Sequence, residues 1–347
     1  MNVDYIIVGQ GISGTMLSYF LSQQNIDHVV IDELKENSPS KIASGVINPI
    51  TGRRFVKTWM IDEVMPFAVE AYKSLEKFLH CNIITQKNVI DFHTSIQMQE
   101  AFNKRALEEK VYLQTDFQNH QIDQLFNYSN GIGLIQPVWL IDINIILKEW
   151  RKYLTEKKSL IEEHFDTDQL QLEDEYVVYK NIKAKKIFFA DGLNSMKLNW
   201  FENLPFVPNK GEAIIVEIPK LLRDLIYKNG LTIVPWKDDL FWVGSSYEWT
   251  FENELPTNSF KEKVESVLSN WLKTDYKIID HIAAVRPANI ERRPFVGILN
   301  HQQQIGILNG MGTKGCSLAP YFANEMVQHL QYQKHINVEA DVNRFYT

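Results

Sequence analysis

The tightest constraint on the fold is a six-residue string, Gly9-Gln10-Gly11-Ile12-Ser13-Gly14, set between an apolar run and an amphipathic one. Val3 to Val8 reads as a short buried strand through Tyr5-Ile6-Ile7-Val8. A helix follows from about Ser13 to Gln24, with Met16, Leu17, Phe20 and Leu21 on one face. A second strand, His28 to Ile31, ends at Asp32. This is a βαβ unit. Gly9 permits the tight turn, Gly11 lets the backbone approach a pyrophosphate, and Gly14 lets helix and strand pack closely. The helix N-terminus, with Ile12 and Ser13 in its first turn, offers free N–H donors to an anion. Asp32, with Glu33 beside it, is placed to accept hydrogen bonds from ribose hydroxyls, and its charge disfavours a 2′-phosphate. A bare GxGxxG string is often only a glycine-rich turn. Strand, helix and terminal acid together favour a dinucleotide site, without separating FAD from NAD.

Bulk properties narrow the class. The chain has 347 residues, which calls for a large single fold or two lobes. A net charge of −7 argues against a nucleic-acid partner. Cys81 and Cys316 stand far apart with no CxxC spacing, which excludes a disulfide framework and a zinc site. The histidines have no metal-ligand spacing, so no metal is expected. No apolar run reaches the roughly 20 residues that span a bilayer. The start lacks a charged region followed by an apolar signal core. A cytoplasmic protein is the expectation.

Three pieces near the carboxyl end complete the pattern: Ala284-Val285-Arg286-Pro287, Glu291-Arg292-Arg293-Pro294-Phe295-Val296-Gly297, and Gly310-Met311-Gly312-Thr313-Lys314-Gly315-Cys316-Ser317-Leu318-Ala319-Pro320. An arginine emerging from a buried strand (Ile282-Ala283-Ala284-Val285) needs an anionic partner, and its planar fork suits a carboxylate. That partner is either a substrate or an internal acid such as Glu291. Gly310 to Gly315 forms a turn into a helix that starts near Ser317. Its N–H donors can stabilise the negative charge that a reduced flavin accumulates at its N1–C2=O edge.

In this order, dinucleotide loop first, Arg-Pro block and Gly-rich helix start last, the chain resembles the FAD-dependent D-amino-acid oxidase and glycine oxidase superfamily over most of its length. The resemblance implies an α/β fold: an FAD-binding Rossmann-like domain of the glutathione-reductase type, interwoven with an antiparallel-sheet α+β substrate domain. It assigns residues 1–75, 136–205 and 278–347 to the first and 76–135 and 206–277 to the second. It implies non-covalent FAD, with Cys316 a buried apolar cysteine rather than a flavin attachment point. It places Ala43, Ser44 and Gly45, from the irregular stretch Lys41 to Pro49, beside the flavin. It lays Ala190 and Gly192 against the dinucleotide, while Asp191 departs from the family's Thr or Ser. It adds Gly310, Gly312, Thr313, Lys314 and Gly315 to the cofactor contacts, and gives Arg286 the substrate carboxylate.

Other features are read from the residues themselves. Arg53, Arg54 and Lys57 form a basic cluster that either meets phosphate or a substrate carboxylate or is simply solvated; Arg53 is its catalytic candidate. Lys314 either adds a cation near the flavin, helps reduce oxygen, or is merely exposed. Asp142 caps a helix running to about Thr155. A strand near Leu160–Phe165, a hairpin around Leu170–Tyr179 and a buried strand through Lys186–Phe189 follow. Glu212–Ile218, then Thr232–Trp236 and Leu240–Ser245 as a hairpin, form the floor of the substrate lobe. Ser259 and Glu262 fit a capping box for a helix whose core face is Phe260, Val264, Val267, Leu268, Trp271 and Leu272.

The implied reaction oxidises a C–N bond of an amino acid or secondary amine. Arg286 holds the carboxylate, the Cα–H faces flavin N5, and a hydride leaves to give an imine that hydrolyses. Oxygen or another acceptor then takes the electrons. Thr232 stands where glycine oxidases carry a carboxylate-holding tyrosine, and Thr313 where they carry a second arginine; both put simple amino acids in doubt as substrates. The competing readings are a flavin lobe acting on a modified tRNA uridine, a 2-hydroxy-acid dehydrogenase on the same fold, and a non-catalytic nucleotide binder. Substrate, electron acceptor and oligomeric state, including a homo-oligomer, stay open.

Overall fold

The computed structural model describes every residue except Asp116, Gln118 and Thr347. The first strand, β1 (Asn2–Val8), pairs in parallel with β2 (His28–Ile31) on one side and with strand Ile182–Phe189 on the other. Between β1 and β2 runs helix α1 (Ile12–Gln23). Leu160–Ile161 extends the sheet beyond β2, and Gln302–Asn309 joins Ile182–Phe189, both in parallel. The run expected to reach Phe165 thus ends early, because only Leu160 and Ile161 find a partner strand. The hairpin Leu170–Leu172 with Val177–Tyr179 and the strand Phe295–Leu299 add antiparallel edges. The central strands are apolar on both faces, as a sheet covered on both sides requires.

The second sheet has eight strands. Their order is Lys277–Arg286, Asn209–Glu217, Leu240–Gly244, Leu231–Pro235, Leu225–Asn229, Asn88–Phe92, Ile132–Ile135 and Leu113–Gln114. Every pairing is antiparallel except Leu225–Asn229 with Asn88–Phe92. Alternation splits its faces: Ile214, Val216, Tyr227, Ile233 and Val243 pack towards helix Asn258–Trp271, while Ala213, Ile215, Val234 and Trp242 join the core shared with the nucleotide sheet. The arginine-bearing strand Lys277–Arg286 belongs to this second sheet, and its last residue delivers the chain towards the first.

Helix Asn258–Trp271 buries Phe260, Val264, Leu268 and Trp271, each contributing about 2 kcal/mol. Its N-cap is Thr257 rather than Ser259: the Thr257 hydroxyl accepts from the Phe260 N–H at 3.3 Å. The reason lies across the fold. Glu212, fully buried on strand Asn209–Glu217, accepts from the Thr257 N–H at 2.7 Å and from its hydroxyl at 2.9 Å. Lys210 Nζ lies 3.3 Å from the same carboxylate. Burial pushes the Glu212 carboxyl up, but these donors outweigh it and hold it below its ordinary value. The helix start is therefore pinned to the sheet by an acid distant in sequence.

Candidate active site

The two glycine-rich segments meet at the carboxyl ends of the parallel strands. At the first, Gly9 has φ +96°, and a Cβ there would lie 2.7 Å from the Ala190 carbonyl oxygen. A Cβ on Gly14 would lie 1.9 Å from the Gly9 carbonyl oxygen, so helix and strand approach as only glycine allows. Gly11 differs: its φ is −73°, and an added Cβ would meet only the Ser40 hydroxyl, at 3.2 Å. The Ile12 N–H donates to that hydroxyl at 3.1 Å. The N–H groups of Gly11, Ser13 and Gly14 have no acceptor among the described residues. The N-cap residue, Gly11, has no side chain to cap α1, and its first turn holds no acid, so the positive end of its dipole meets no charge within the helix.

Asp32 follows the last residue of β2, and its carboxylate is already engaged. One oxygen accepts from the Gln10 N–H at 2.8 Å, the other from the Leu34 N–H at 2.9 Å and from Arg151 Nη1 at 2.8 Å. A ribose hydroxyl would share this acid with Arg151, which also reaches Gln10 Oε1 at 2.9 Å. Glu33 turns outward and lies 2.9 Å from His164. Arg151 carries no local sequence signal, since its helix reads only as amphipathic.

At the second segment, strand Gln302–Asn309 runs into Gly310, whose φ is +74°. The Gly312 N–H donates to the Pro287 carbonyl at 3.3 Å, tying this turn to the residue after Arg286. Helix Gly315–Tyr332 starts at Lys314 without a side-chain cap. A Cβ on Gly315 would lie 3.2 Å from Ile12 Cγ2, so the starts of the two helices stand side by side. The N–H groups of Thr313, Gly315 and Cys316 have no acceptor among the described residues. Thr313 is exposed. Lys314 is half-buried rather than exposed, and burial, with the charge of Lys228 nearby, pushes its ammonium down to about 8. Cys316 is buried and its thiol is pushed up to about 12.

Between the two segments lie Ala190, Asp191 and Gly192. Burial raises the Asp191 carboxyl to about 6, against a hydrogen bond from Ser195. Gly192, with φ +65°, abuts Pro287. Ala43 and Ser44 are half-buried, and Gly45 at φ +80° has no room for a Cβ, which would lie 2.0 Å from the Ile141 carbonyl oxygen.

Arg286 lies over Gly211, where a Cβ would come within 1.8 Å of Nη2. Nη1 donates to Asn209 Oδ1 at 2.6 Å and to the Ser246 carbonyl at 3.4 Å. The guanidinium carbon sits 5.0 Å from the centre of the Tyr247 ring. Burial pushes its pKa down, and no carboxylate pairs with it among the described residues. Glu291, the candidate internal partner, pairs instead with Arg344 at 3.1 Å. Asn209, Ser246 and Tyr247 escaped sequence reasoning because none belongs to a motif.

Arg53 has no hydrogen bond or ion pair to this cluster among the described residues; it is exposed on the hairpin Ile50–Thr51/Val56–Lys57. Its neighbour Phe55 is buried against His93 and beneath Lys228. Lys228 donates to the buried Asp91 at 2.6 Å, a polar pair that sequence patterning did not reveal. No helix is long and apolar enough to cross a membrane, and no cluster of metal-ligating side chains occurs, among the described residues.

Two adjacent uncapped helix starts, one beside a pyrophosphate cradle and one beside a Gly-rich turn, fit an extended FAD. The first would suit the phosphates and the second the flavin edge. Comparisons with known proteins agree. A family model described as FAD dependent oxidoreductase (DAO) matches residues 4–329. Glycine oxidase from Geobacillus kaustophilus shares the fold with a TM-score of 0.81 at 16% identity, covering 99% of this chain and 98% of that one. Iminodiacetate oxidase (IdaA) from Chelativorans sp. BNC1 has a TM-score of 0.74 at 16% identity, with 96% of each chain covered. Dithionite-reduced L-alpha-glycerophosphate oxidase from Mycoplasma pneumoniae, solved with FAD bound, has a TM-score of 0.74 at 16% identity over 97% of each chain. At such identity these likenesses speak for the fold and leave the substrate open. With its paired helix starts, its glycine cradles and a family match over nearly its whole length, the chain belongs to the DAO family of FAD-dependent oxidoreductases and is an enzyme.

Proposed function

We propose that this enzyme oxidises the C–N bond of an amino acid or N-substituted amino acid, with FAD bound non-covalently. The observation that carries the reading is Arg286: a half-buried guanidinium whose acceptors are neutral, with no carboxylate opposite it among the described residues. A desolvated arginine without an acid is costly, and a substrate carboxylate removes that cost. Nη1 is held by Asn209 and Ser246, so Nη2 and Nε form the open edge for a two-point contact.

The N–H groups of Gly11, Ser13 and Gly14 would hold the pyrophosphate, and those of Thr313, Gly315 and Cys316 the flavin edge. FAD, when bound, supplies the two-electron acceptor. The chain's own contribution is position: Arg286 fixes one end of the substrate, and Trp242, buried with its Nε1–H on the Ile42 carbonyl at 3.0 Å, closes part of the floor. Lys314, whose ammonium burial pushes down to about 8, stands at the start of the helix Gly315–Tyr332 and would add a cation near the flavin. Cys316, whose thiol burial raises to about 12, is a poor nucleophile towards flavin, which favours non-covalent attachment.

The experiment is anaerobic titration of the FAD-loaded protein with a panel of amino acids, N-methyl and N-carboxymethyl amines, and 2-hydroxy acids. Bleaching by an amine carboxylate, weakened at least tenfold in apparent affinity by Arg286→Met, is the expected result. Bleaching by hydroxy acids alone would replace the C–N assignment.

A further inference from the structure

Arg286 lies beside the ring of a tyrosine, Tyr247. Tyr247 lies in the irregular segment after strand Leu240–Gly244, 58% exposed, with its ring centre 5.0 Å from the guanidinium carbon. Its hydroxyl has no partner among the described residues. The ring lies beside the guanidinium, while Asn209 and the Ser246 carbonyl restrain Nη1. Gly211 beneath leaves the guanidinium lying flat on the sheet. The fork is thus restrained by a ring, an amide and a carbonyl, and Nη2 and Nε have no hydrogen-bond partner among the described residues.

A carboxylate docked on that edge needs a further donor, since an arginine edge satisfies only part of its acceptor capacity. Thr232, the position that carries a tyrosine in the glycine oxidases the chain resembles, is too short to extend a phenol, and Thr313 offers no charge. Thr232 pairs with Gly244 across the strands, so the segment carrying Tyr247 emerges from the neighbouring strand three residues farther on.

Resting on the carboxylate reading of Arg286, we propose that Tyr247 is the second substrate-binding group of the site. Its ring orients Arg286, and its phenol donates to the same substrate carboxylate. The carboxylate site is then built from Arg286 and Tyr247, in place of a tyrosine at position 232 and an arginine at 313. A substrate lacking a carboxylate next to the amine loses both contacts at once.

The test uses FAD-loaded wild type, Tyr247→Phe, Tyr247→Leu and Arg286→Met, titrated with benzoate and with its neutral isostere benzamide, and read by the flavin absorbance change. Wild type is expected to bind benzoate and not benzamide. Tyr247→Phe, which keeps the ring, is expected to weaken benzoate about tenfold, as loss of a hydrogen bond to a charged group. Tyr247→Leu, which also loses the stack, is expected to weaken it by roughly 30-fold in total. Unchanged flavin content and melting temperature in Tyr247→Phe would show that the fold is intact. Wild-type affinity in Tyr247→Phe overturns the proposal while leaving Arg286 in its role. No benzoate binding by wild type, or equal binding by Arg286→Met, overturns the carboxylate reading itself, and this inference falls with it.

Discussion

Gly11→Ala separates cofactor binding from folding more cleanly than any other change in the loop. The backbone at Gly11 has φ −73° and ψ −173°, which alanine adopts freely, and the added Cβ meets only the Ser40 hydroxyl at 3.2 Å. Loss of unfolded-chain freedom favours alanine, and its weaker N-cap role opposes this, so stability should change by about 1 kcal/mol or less. The cofactor pays a different toll. On this placement, the methyl group would stand where the pyrophosphate approaches the N–H groups of Gly11 and Ser13. Losing two such charge-assisted bonds at about 1.5 kcal/mol each weakens FAD roughly 150-fold. Gly14→Ala is the contrasting control: its Cβ would lie 1.9 Å from a backbone oxygen, so α1 must move off the sheet and the fold itself loses about 3 kcal/mol. The assay is apoprotein reconstitution, followed by quenching of FAD fluorescence, with a thermal melt of each apoprotein alongside. A Gly11→Ala protein that melts like wild type and still binds FAD with wild-type affinity would refute the placement of the pyrophosphate on this loop.

Two further expectations follow from the packing. Thr257→Ala should destabilise the protein by about 2 kcal/mol, because it removes the true N-cap and one donor to the buried Glu212 carboxylate, whereas Ser259→Ala should stay within about 0.5 kcal/mol; chemical denaturation of both variants distinguishes them. Lys314 has a pKa lowered from 10.5 to about 8, so the folded apoprotein disfavours its charged form. Its stabilising share is present above pH 10.5 and lost as pH falls to about 8. Lys314→Met should therefore raise the apoprotein melting temperature at pH 7 and lose that advantage by pH 10.5, and an advantage constant with pH would contradict the burial of this lysine.

The parts of the fold governed by local pattern were legible in the sequence. The βαβ unit, the strand through Ile182–Phe189, the hairpin Leu231–Pro235/Leu240–Gly244 and the buried stripe of helix Asn258–Trp271 all follow from periodicity and turn residues. So does the Gly310–Gly315 turn, since positive φ at Gly310 and Gly312 writes itself as glycine. What escaped was set by residues far apart in the chain. A capping box at Ser259 is sound local chemistry, yet Glu212 draws the cap back to Thr257 from the neighbouring sheet. Asp32 looked free because nothing near it in sequence announces Arg151. Lys314 looked exposed because nothing near it in sequence announces its burial or the Lys228 charge, which comes from the second sheet. Strand Asn88–Phe92 enters that sheet by a parallel pairing with Leu225–Asn229, a non-local contact that no window of sequence encodes.

The most direct measurement is the visible spectrum of the purified protein, followed by anaerobic addition of amine carboxylates. A yellow protein whose flavin band bleaches with an amine carboxylate, and fails to bleach with the matching amide, is the expected result. A protein that takes up no FAD, or one that is yellow and bleached as readily by the amide, would contradict an FAD-dependent amine oxidation organised around Arg286.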